Sequence, residues 1–215
     1  YRENPSRREV LAIGAMALAD AVAAGKSLAR QAEQDAERPA IAACDVFVYG
    51  STPGGIAAAV EAARRGCQVV LACPKNHAGG MAASGLSTTD AVRRQIFGGL
   101  VLEFIAGVRD EYRHTVGESS PEWRLINDGW YYEPSVAERV FDRLLEKEAE
   151  RLQFWRKHHL LAAAVQGPRV VEVELETPQG GRMRVAAKTF IDGIYEGDLA
   201  AAAKVPYRVG REGRD

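Results

Sequence analysis

The chain has 215 residues, a net charge of −1 at pH 7, and 27% charged and 47% hydrophobic residues. These values are typical of a globular chain with one sizeable core, and the nearly neutral charge offers no basic patch for nucleic acid. The three cysteines, Cys44, Cys67 and Cys73, form no CxxC pair and suggest no disulfide framework, and the four histidines show no metal-ligand spacing. We therefore expect a small-molecule partner, no nucleic acid and no metal.

The beginning of the chain resembles an export signal. Arg7 and Arg8 precede a short apolar stretch, as in twin-arginine signals, and Asp20 interrupts that stretch before it is long enough to span a membrane. We expect a signal-like or flexible segment over 1–43, a folded domain over 44–215, and export to the periplasm or cell envelope. The alternative is an Ala-rich terminal helix on a cytoplasmic protein.

The segment 45–81 predicts a strand, a tight turn, a helix and a second strand. An apolar run over 46–49 is typical of a buried strand, and small helix-forming residues over 56–63 suit a helix that lies against a sheet. Gly66 ends this helix, and a second strand follows over 69–71. The turn between strand and helix has the sequence Gly50-Ser51-Thr52-Pro53-Gly54-Gly55. It directs the first helical N–H groups, and the positive end of the helix dipole, towards whatever lies above it, which suits a diphosphate.

The glycine spacing of this turn departs from the usual dinucleotide fingerprint. The fingerprint has glycine at its first, third and sixth positions, which are Gly50, Thr52 and Gly55 here. Gly50 suits the tight turn, Gly55 suits close packing of helix on strand, and Gly54 restores part of the backbone access that Thr52 restricts. A strand-to-helix turn with incidental glycines is the alternative.

The residue expected to bind the adenosine ribose is not acidic. A carboxylate is expected about 20 residues after the first glycine, and Cys73 lies there. A thiol cannot accept the paired hydrogen bonds of the ribose, so this contact must come from backbone groups or from neighbours such as Lys75 or Asn76. Lys75 also suits a 2′-phosphate, which leaves NADP open. Cys73 itself is more typical of a small buried hydrophobe than of a redox group.

Further along, Gly79 and Gly80 predict backbone without side-chain obstruction beside the phosphate turn, with a simple loop as the alternative. Apolar residues at helical spacing, beginning with Ile96, predict a helix over 95–114. Pro134 suits the first turn of another helix.

From Leu152 the spacing becomes that of β-strands. We expect strands over 152–155, 160–165, 170–176 and 183–187, and a separate parallel strand over 190–192. Gly193 follows at the carboxyl end of that strand, where ligands bind in open α/β sheets. Glu196 and Asp198 come next, as candidate acids or as the start of a helix.

Together these motifs resemble the FAD-dependent oxidoreductases with a glutathione-reductase-like FAD-binding fold, in a bacterial branch. The similar stretches are 45–59, 77–81, 84–90, 97–100, 132–137 and 189–199. The resemblance implies an α/β class, with a Rossmann-like parallel sheet, a βαβ dinucleotide-binding unit and a three-stranded antiparallel crossover. It also implies a domain truncated at its carboxyl end, because members of the family are longer.

The resemblance implies FAD as the cofactor and an oxidoreductase acting on a small organic substrate, without assigning catalytic residues. The FAD-binding residues expected are Gly50, Ser51, Thr52, Pro53, Gly54, Gly55, Cys73, Gly79, Gly80, Met81, Val165, Asp192 and Gly193. Among them, Val165 would contact the adenine. Two alternatives remain: an NAD(P)-dependent Rossmann dehydrogenase, and a nucleotide-binding module without turnover.

Overall fold

The computed structural model describes residues 41–210, and the predicted twin-arginine signal lies outside this range. A six-stranded sheet has the order β3-β2-β1-β6-β5-β4. Its strands are β1 (Ile41–Tyr49), β2 (Val69–Cys73), β3 (Leu152–Arg156), β4 (His159–Gln166), β5 (Arg169–Glu176) and β6 (Arg182–Asp192). β1, β2, β3 and β6 pair in parallel, whereas β4, β5 and the first half of β6 pair antiparallel.

Most of the helices lie between these strands in sequence and pack on one face of the sheet, whereas the last helix follows β6 and packs in the other core through Leu199. The helices are α1 (Pro53–Arg64), α2 (Gly80–Ser84), α3 (Leu100–Thr115), α4 (Pro121–Leu125), α5 (Pro134–Glu146) and α6 (Asp198–Ala202), with 3₁₀ turns at Arg94–Ile96 and Asn127–Gly129. The expected fold class, a Rossmann-like sheet with an antiparallel crossover, is confirmed. Within residues 41–210, none of these helices has both the length and the apolar content needed to cross a bilayer.

Strand β1 is buried on both faces, as its unbroken apolar run predicts. Val46 and Val48 pack among the helices, whereas Phe47 and Tyr49 pack among residues of β4, β5 and β6. Alternating side chains of one strand therefore enter two separate cores, one formed with most of the helices and the other with the antiparallel strands and α6.

The two strands expected over 183–187 and 190–192 are a single strand, β6. This strand pairs with β5 over its first half and with β1 along most of its length. The polar pair Lys188-Thr189 lies between the two apolar runs, and Lys188 forms a 2.7 Å ion pair with Asp45 of β1 at the strand surface. The crossover and the central sheet are therefore continuous.

The helix expected over 95–114 begins later than its apolar pattern indicates. Ile96 lies in a 3₁₀ turn with its side chain 73% exposed, and α3 starts only after Gly99, whose φ is +54°. A glycine in the left-handed region precedes the helix, so the apolar spacing continues across a backbone break. By contrast, Pro134 occupies the first turn of α5 as expected.

Candidate functional site

Three glycines from three segments meet at the turn after β1. Gly50 has a φ of +109°, and a Cβ there would lie 2.6 Å from the carbonyl carbon of Gly193. A Cβ on Gly55 would overlap the carbonyl oxygen of Gly50, and one on Gly193 would lie 2.8 Å from the Cα of Gly55. Since real Cβ atoms do not approach other atoms so closely, β1, α1 and the end of β6 can meet only if all three residues are glycine.

Thr52, the residue that departs from the fingerprint, holds this turn together. Its Oγ1 donates to the carbonyl oxygen of Gly193 at 2.6 Å and accepts from the N–H of Gly55 at 3.2 Å. Thr52 is therefore the N-cap of α1 and a link to the end of β6. A glycine at this position would lack both hydrogen bonds.

Gly54 supplies the available donor of the first helical turn. Pro53 has no N–H, and the N–H of Gly55 is taken by Thr52. Within residues 41–210 the N–H of Gly54 makes no hydrogen bond. Gly54 is also exposed, and the nearest atom to a Cβ there would be the Oγ1 of Thr52, 3.8 Å away. An anion can therefore approach this amide at the positive end of a 12-residue helix.

A cavity of about 240 Å³ lies beside this turn, at the carboxyl ends of β1, β2 and β6. The chain leaves β1 towards β2 on one side of the sheet and returns through β6 on the other, which is where open α/β sheets bind nucleotides. The cavity is lined by Gly50, Ser51, Thr52, Cys73, Pro74, Lys75, His77, Gly80, Ile194, Tyr195, Glu196 and Asp198.

Cys73 is buried, as expected, but its sulfur also accepts hydrogen bonds. The hydroxyl of Ser51 lies 2.9 Å from the Sγ of Cys73 and 3.2 Å from the carbonyl oxygen of His77, and the N–H of Lys75 lies 3.4 Å from the same sulfur. The thiol is therefore held by protein groups beneath the cavity. Of the two neighbours proposed for ribose binding, Lys75 lines the cavity and Asn76 does not.

The glycine pair Gly79-Gly80 accommodates aromatic side chains. A Cβ on Gly79, whose φ is +101°, would lie 2.5 Å from the ring of Phe141, and a Cβ on Gly80 would lie 2.5 Å from the Oη of Tyr195. The same Oη accepts the N–H of Met81 at 3.0 Å. The space beside this backbone is thus partly filled by Phe141 and Tyr195. We assigned no role to Tyr195 from the sequence, because only its contact with α2 reveals one.

Of the expected FAD-binding residues, Gly50, Ser51, Thr52, Cys73 and Gly80 line this cavity, whereas Pro53, Gly54, Gly55, Gly79, Met81, Val165, Asp192 and Gly193 do not. The carboxylate of Asp192 accepts the N–H of Ala200 at 2.9 Å and the N–H of Ile194 at 3.3 Å, so it caps α6 and shapes the loop that lines the cavity. Val165 is exposed near the end of edge strand β4. The other end of β4 is the one that approaches β1, through a hydrogen bond from the N–H of Leu160 to the Oη of Tyr49.

A second cavity, of about 300 Å³, lies on the helix side and shares Tyr195 with the first. It is lined by Pro53, Ala57, Met81, Ala82, Leu86, Thr88, Thr89, Phe97, Leu100, Val101, Phe104, Tyr132, Phe141 and Tyr195. These residues come from α1, α2, α3 and α5, from the segments between them and, for Tyr195, from the loop after β6. The sequence did not predict this cavity, because no local motif marks it.

A family model described as FAD dependent oxidoreductase matches residues 45–215, so the chain belongs to this family. FAD is therefore its cofactor, and the expected family and cofactor are confirmed. The residues fit this cofactor. The N–H of Gly54 has no hydrogen-bond partner among the described residues, and the neighbouring glycines carry no side chain that would keep a diphosphate from the backbone. The assignment of individual FAD-binding residues stays a prediction.

Solved structures show the same fold at low identity. The glycerol-3-phosphate dehydrogenase of Bacillus halodurans, complexed with FAD, is 13% identical with a TM-score of 0.54, over 75% of this chain and 36% of that one. AlpK is 16% identical with a TM-score of 0.50, over 74% of this chain and 33% of that one. No curated protein sequence matches this chain significantly. The chain spans between 23% and 45% of the length of similar solved structures.

Proposed function

We propose that the cavity beside Gly54 holds the adenosine diphosphate part of FAD, in an oxidoreductase that acts on a small organic substrate. The observation that carries this proposal is the exposed, unbonded N–H of Gly54 at the start of α1, above a turn that Gly50, Gly55 and Gly193 keep narrow. When bound, FAD supplies a two-electron acceptor that no side chain offers.

The chain's own residues bind and orient in this proposal. The N–H of Gly54 binds the diphosphate, and Thr52 keeps that amide in place through its bonds to Gly55 and Gly193. Lys75 adds positive charge at the cavity wall. Since Cys73 is held from within the protein, the ribose hydroxyls are bound by Lys75, by backbone groups or by the cavity-lining carboxylate of Glu196.

The test is to purify the full-length protein, denature it and identify the released flavin by chromatography. We expect a yellow protein that releases about one FAD per chain and whose flavin is reduced by a donor from a panel of small organic compounds. A colourless protein would contradict the proposal. Flavin that is bound but reduced by no donor would favour the nucleotide-binding module without turnover.

A dehydrogenase that uses dissociable NADP is the second candidate. Cys73, in place of the carboxylate that would repel a 2′-phosphate at the end of β2, together with Lys75 on the same cavity wall, favours it. Titration of the flavin-free protein with NADP and NAD distinguishes the two: tight binding of NADP, lost in Lys75→Ala, would place this candidate first.

We also propose that the protein is exported through a twin-arginine signal at its beginning. Arg7 and Arg8 before an apolar stretch support this proposal, and export after folding suits a protein that binds its cofactor in the cytoplasm. Fractionation of cells that make the full-length protein tests it. The wild type should be found in the envelope fraction, whereas the double variant Arg7→Lys/Arg8→Lys should stay inside; equal distribution of the two would contradict export.

A further inference from the structure

The cavity on the helix side has a chemistry unlike that of the nucleotide cavity. None of its lining residues carries a formal charge at neutral pH, and five of them are aromatic: Phe97, Phe104, Tyr132, Phe141 and Tyr195. The nucleotide cavity, by contrast, contains Lys75, Glu196 and Asp198. A charged molecule would lose its hydration in the apolar cavity without gaining a partner, whereas an apolar one would gain by leaving water.

The polar groups in this cavity are few. The hydroxyl of Thr89 lies 3.2 Å from the Oη of Tyr132, so these two groups satisfy each other. The Oη of Tyr195 accepts the N–H of Met81. The hydroxyl of Thr88 makes no hydrogen bond with any residue in the described part of the chain. One hydroxyl is thus available to orient a ligand inside an otherwise apolar space.

The position of the cavity connects it to the nucleotide site. Tyr195 lines both cavities, and Pro53, the residue before the proposed diphosphate donor Gly54, lines the apolar one. Met81 contributes its side chain to the apolar cavity, directly after Gly80 of the nucleotide cavity. A ligand in the apolar cavity would therefore lie beside a cofactor that extends along Gly80.

We propose that this cavity binds the substrate, and that the substrate is an uncharged, mainly apolar molecule with a hydroxyl or carbonyl group facing Thr88. This inference rests on the proposed function, because it takes the adjoining cavity to hold FAD. The cavity volume, about 300 Å³, accommodates a molecule of one or two rings.

A matched pair of probes tests the charge preference on the flavin-loaded, full-length protein. 2-Naphthol is neutral at pH 7, whereas 2-naphthoate has nearly the same ring shape and one negative charge. Calorimetric titration should show 2-naphthol binding at least about 30-fold more tightly, because the carboxylate finds no partner in the cavity. Equal or tighter binding of 2-naphthoate, or no binding of either probe, would overturn the proposal.

Two variants locate the binding. Ala82→Phe fills the cavity, and we expect it to weaken 2-naphthol binding at least about tenfold, whereas Ala106→Phe adds the same volume at an exposed position of α3 and should change nothing. Thr88→Val removes the available hydroxyl and should weaken 2-naphthol but not naphthalene. Unchanged binding in Ala82→Phe, with its circular dichroism and flavin content intact, would contradict the assignment.

Flavin content separates this inference from the proposed function. Loss of FAD together with 2-naphthol in Ala82→Phe, at unchanged circular dichroism, would show that the cavity belongs to the flavin ring and would overturn the substrate assignment while supporting the proposed function. A protein that purifies without flavin but binds 2-naphthol in a manner sensitive to Ala82→Phe would contradict the proposed function and support the apolar ligand.

Discussion

The two cavities of this protein are built in opposite ways. The nucleotide cavity depends on backbone: glycines at positions 50, 55 and 193 bring three segments together and leave the N–H of Gly54 available. The apolar cavity depends on side chains from α1, α2, α3, α5 and intervening loops. A substitution at the first site therefore acts through backbone geometry, whereas one at the second acts through volume and chemistry.

The largest effect is expected at Gly55. A methyl group there would overlap the carbonyl oxygen of Gly50, and backbone cannot yield as a flexible side chain does. We expect Gly55→Ala to purify without FAD and to lower the free energy of unfolding by about 3 kcal/mol or more. Gly98→Ala is the control, because a Cβ there would meet no atom within 4 Å and Gly98 lines neither cavity. It should fold normally and bind FAD, as measured by flavin content and urea denaturation. Equal flavin content in both variants would refute the backbone account.

The next largest effect is expected at Gly79, where the backbone lies against the side chain of Phe141. Its φ of +101° and the ring of Phe141, 2.5 Å from a Cβ, both oppose a larger residue. We expect Gly79→Ala to lower the free energy of unfolding by about 2–3 kcal/mol, measured by urea denaturation. Gly85→Ala is the matched control, because Gly85 also has a positive φ but no atom within 4 Å. If Gly85→Ala lowers the free energy of unfolding as much as Gly79→Ala does, the contact with Phe141 contributes nothing to the effect.

A smaller effect is expected at Asp192, which shapes the nucleotide cavity without lining it. Asp192→Ala removes the acceptor for the N–H groups of Ile194 and Ala200, and we expect a loss of about 1–2 kcal/mol with weaker FAD binding. Asp192→Asn keeps an acceptor oxygen and should recover most of both quantities. Chemical denaturation and flavin titration measure them. If Asp192→Asn is as defective as Asp192→Ala, the charge rather than the cap is required.

The smallest effect concerns the ionic contact between α3 and α5, two walls of the apolar cavity. Burial raises the pKa of Glu111, but hydrogen bonds from Arg139 and Arg143, both at 2.6 Å, outweigh it and hold the pKa below its usual value. A folded-state pKa below the unfolded one contributes stability above the unfolded pKa, and this contribution is lost as the pH falls through the lowered pKa.

The measurement is a set of urea denaturations from pH 7 down to pH 3. The wild type should lose stability at the acidic end, whereas Glu111→Gln should be less stable at pH 7, by about 1 kcal/mol or less for each exposed arginine partner, and should lose less on acidification. Parallel pH profiles for the two proteins would show that Glu111 does not contribute to the acid dependence.

The features that could be predicted are those that depend on residues close together in the sequence. The turn 50–55, the burial of β1 on both faces and the start of α5 at Pro134 were expected and are present. The predictions were wrong at the ends of two elements, where a pattern of neighbouring residues does not show where a helix or strand begins or ends. Ile96 continues the apolar spacing of α3 although Gly99 precedes the helix, and the expected strands 183–187 and 190–192 are one strand, in which Lys188 pairs with Asp45, distant in sequence.

The α/β class, the βαβ unit and the family were predictable from the chain alone, because a parallel strand, a glycine turn and an amphipathic helix each depend on neighbouring residues. The roles of Thr52, Tyr195 and Asp192, and the apolar cavity beside the nucleotide site, became evident only in the folded molecule. Thr52 and Tyr195 contact groups more than 100 residues away, and the cavity is lined by residues of several helices. Asp192 binds the N–H groups of Ile194 and Ala200, which are near in sequence, but the backbone path that brings them to its carboxylate is set by the fold. A linear pattern carries no information about which groups the folded chain brings together.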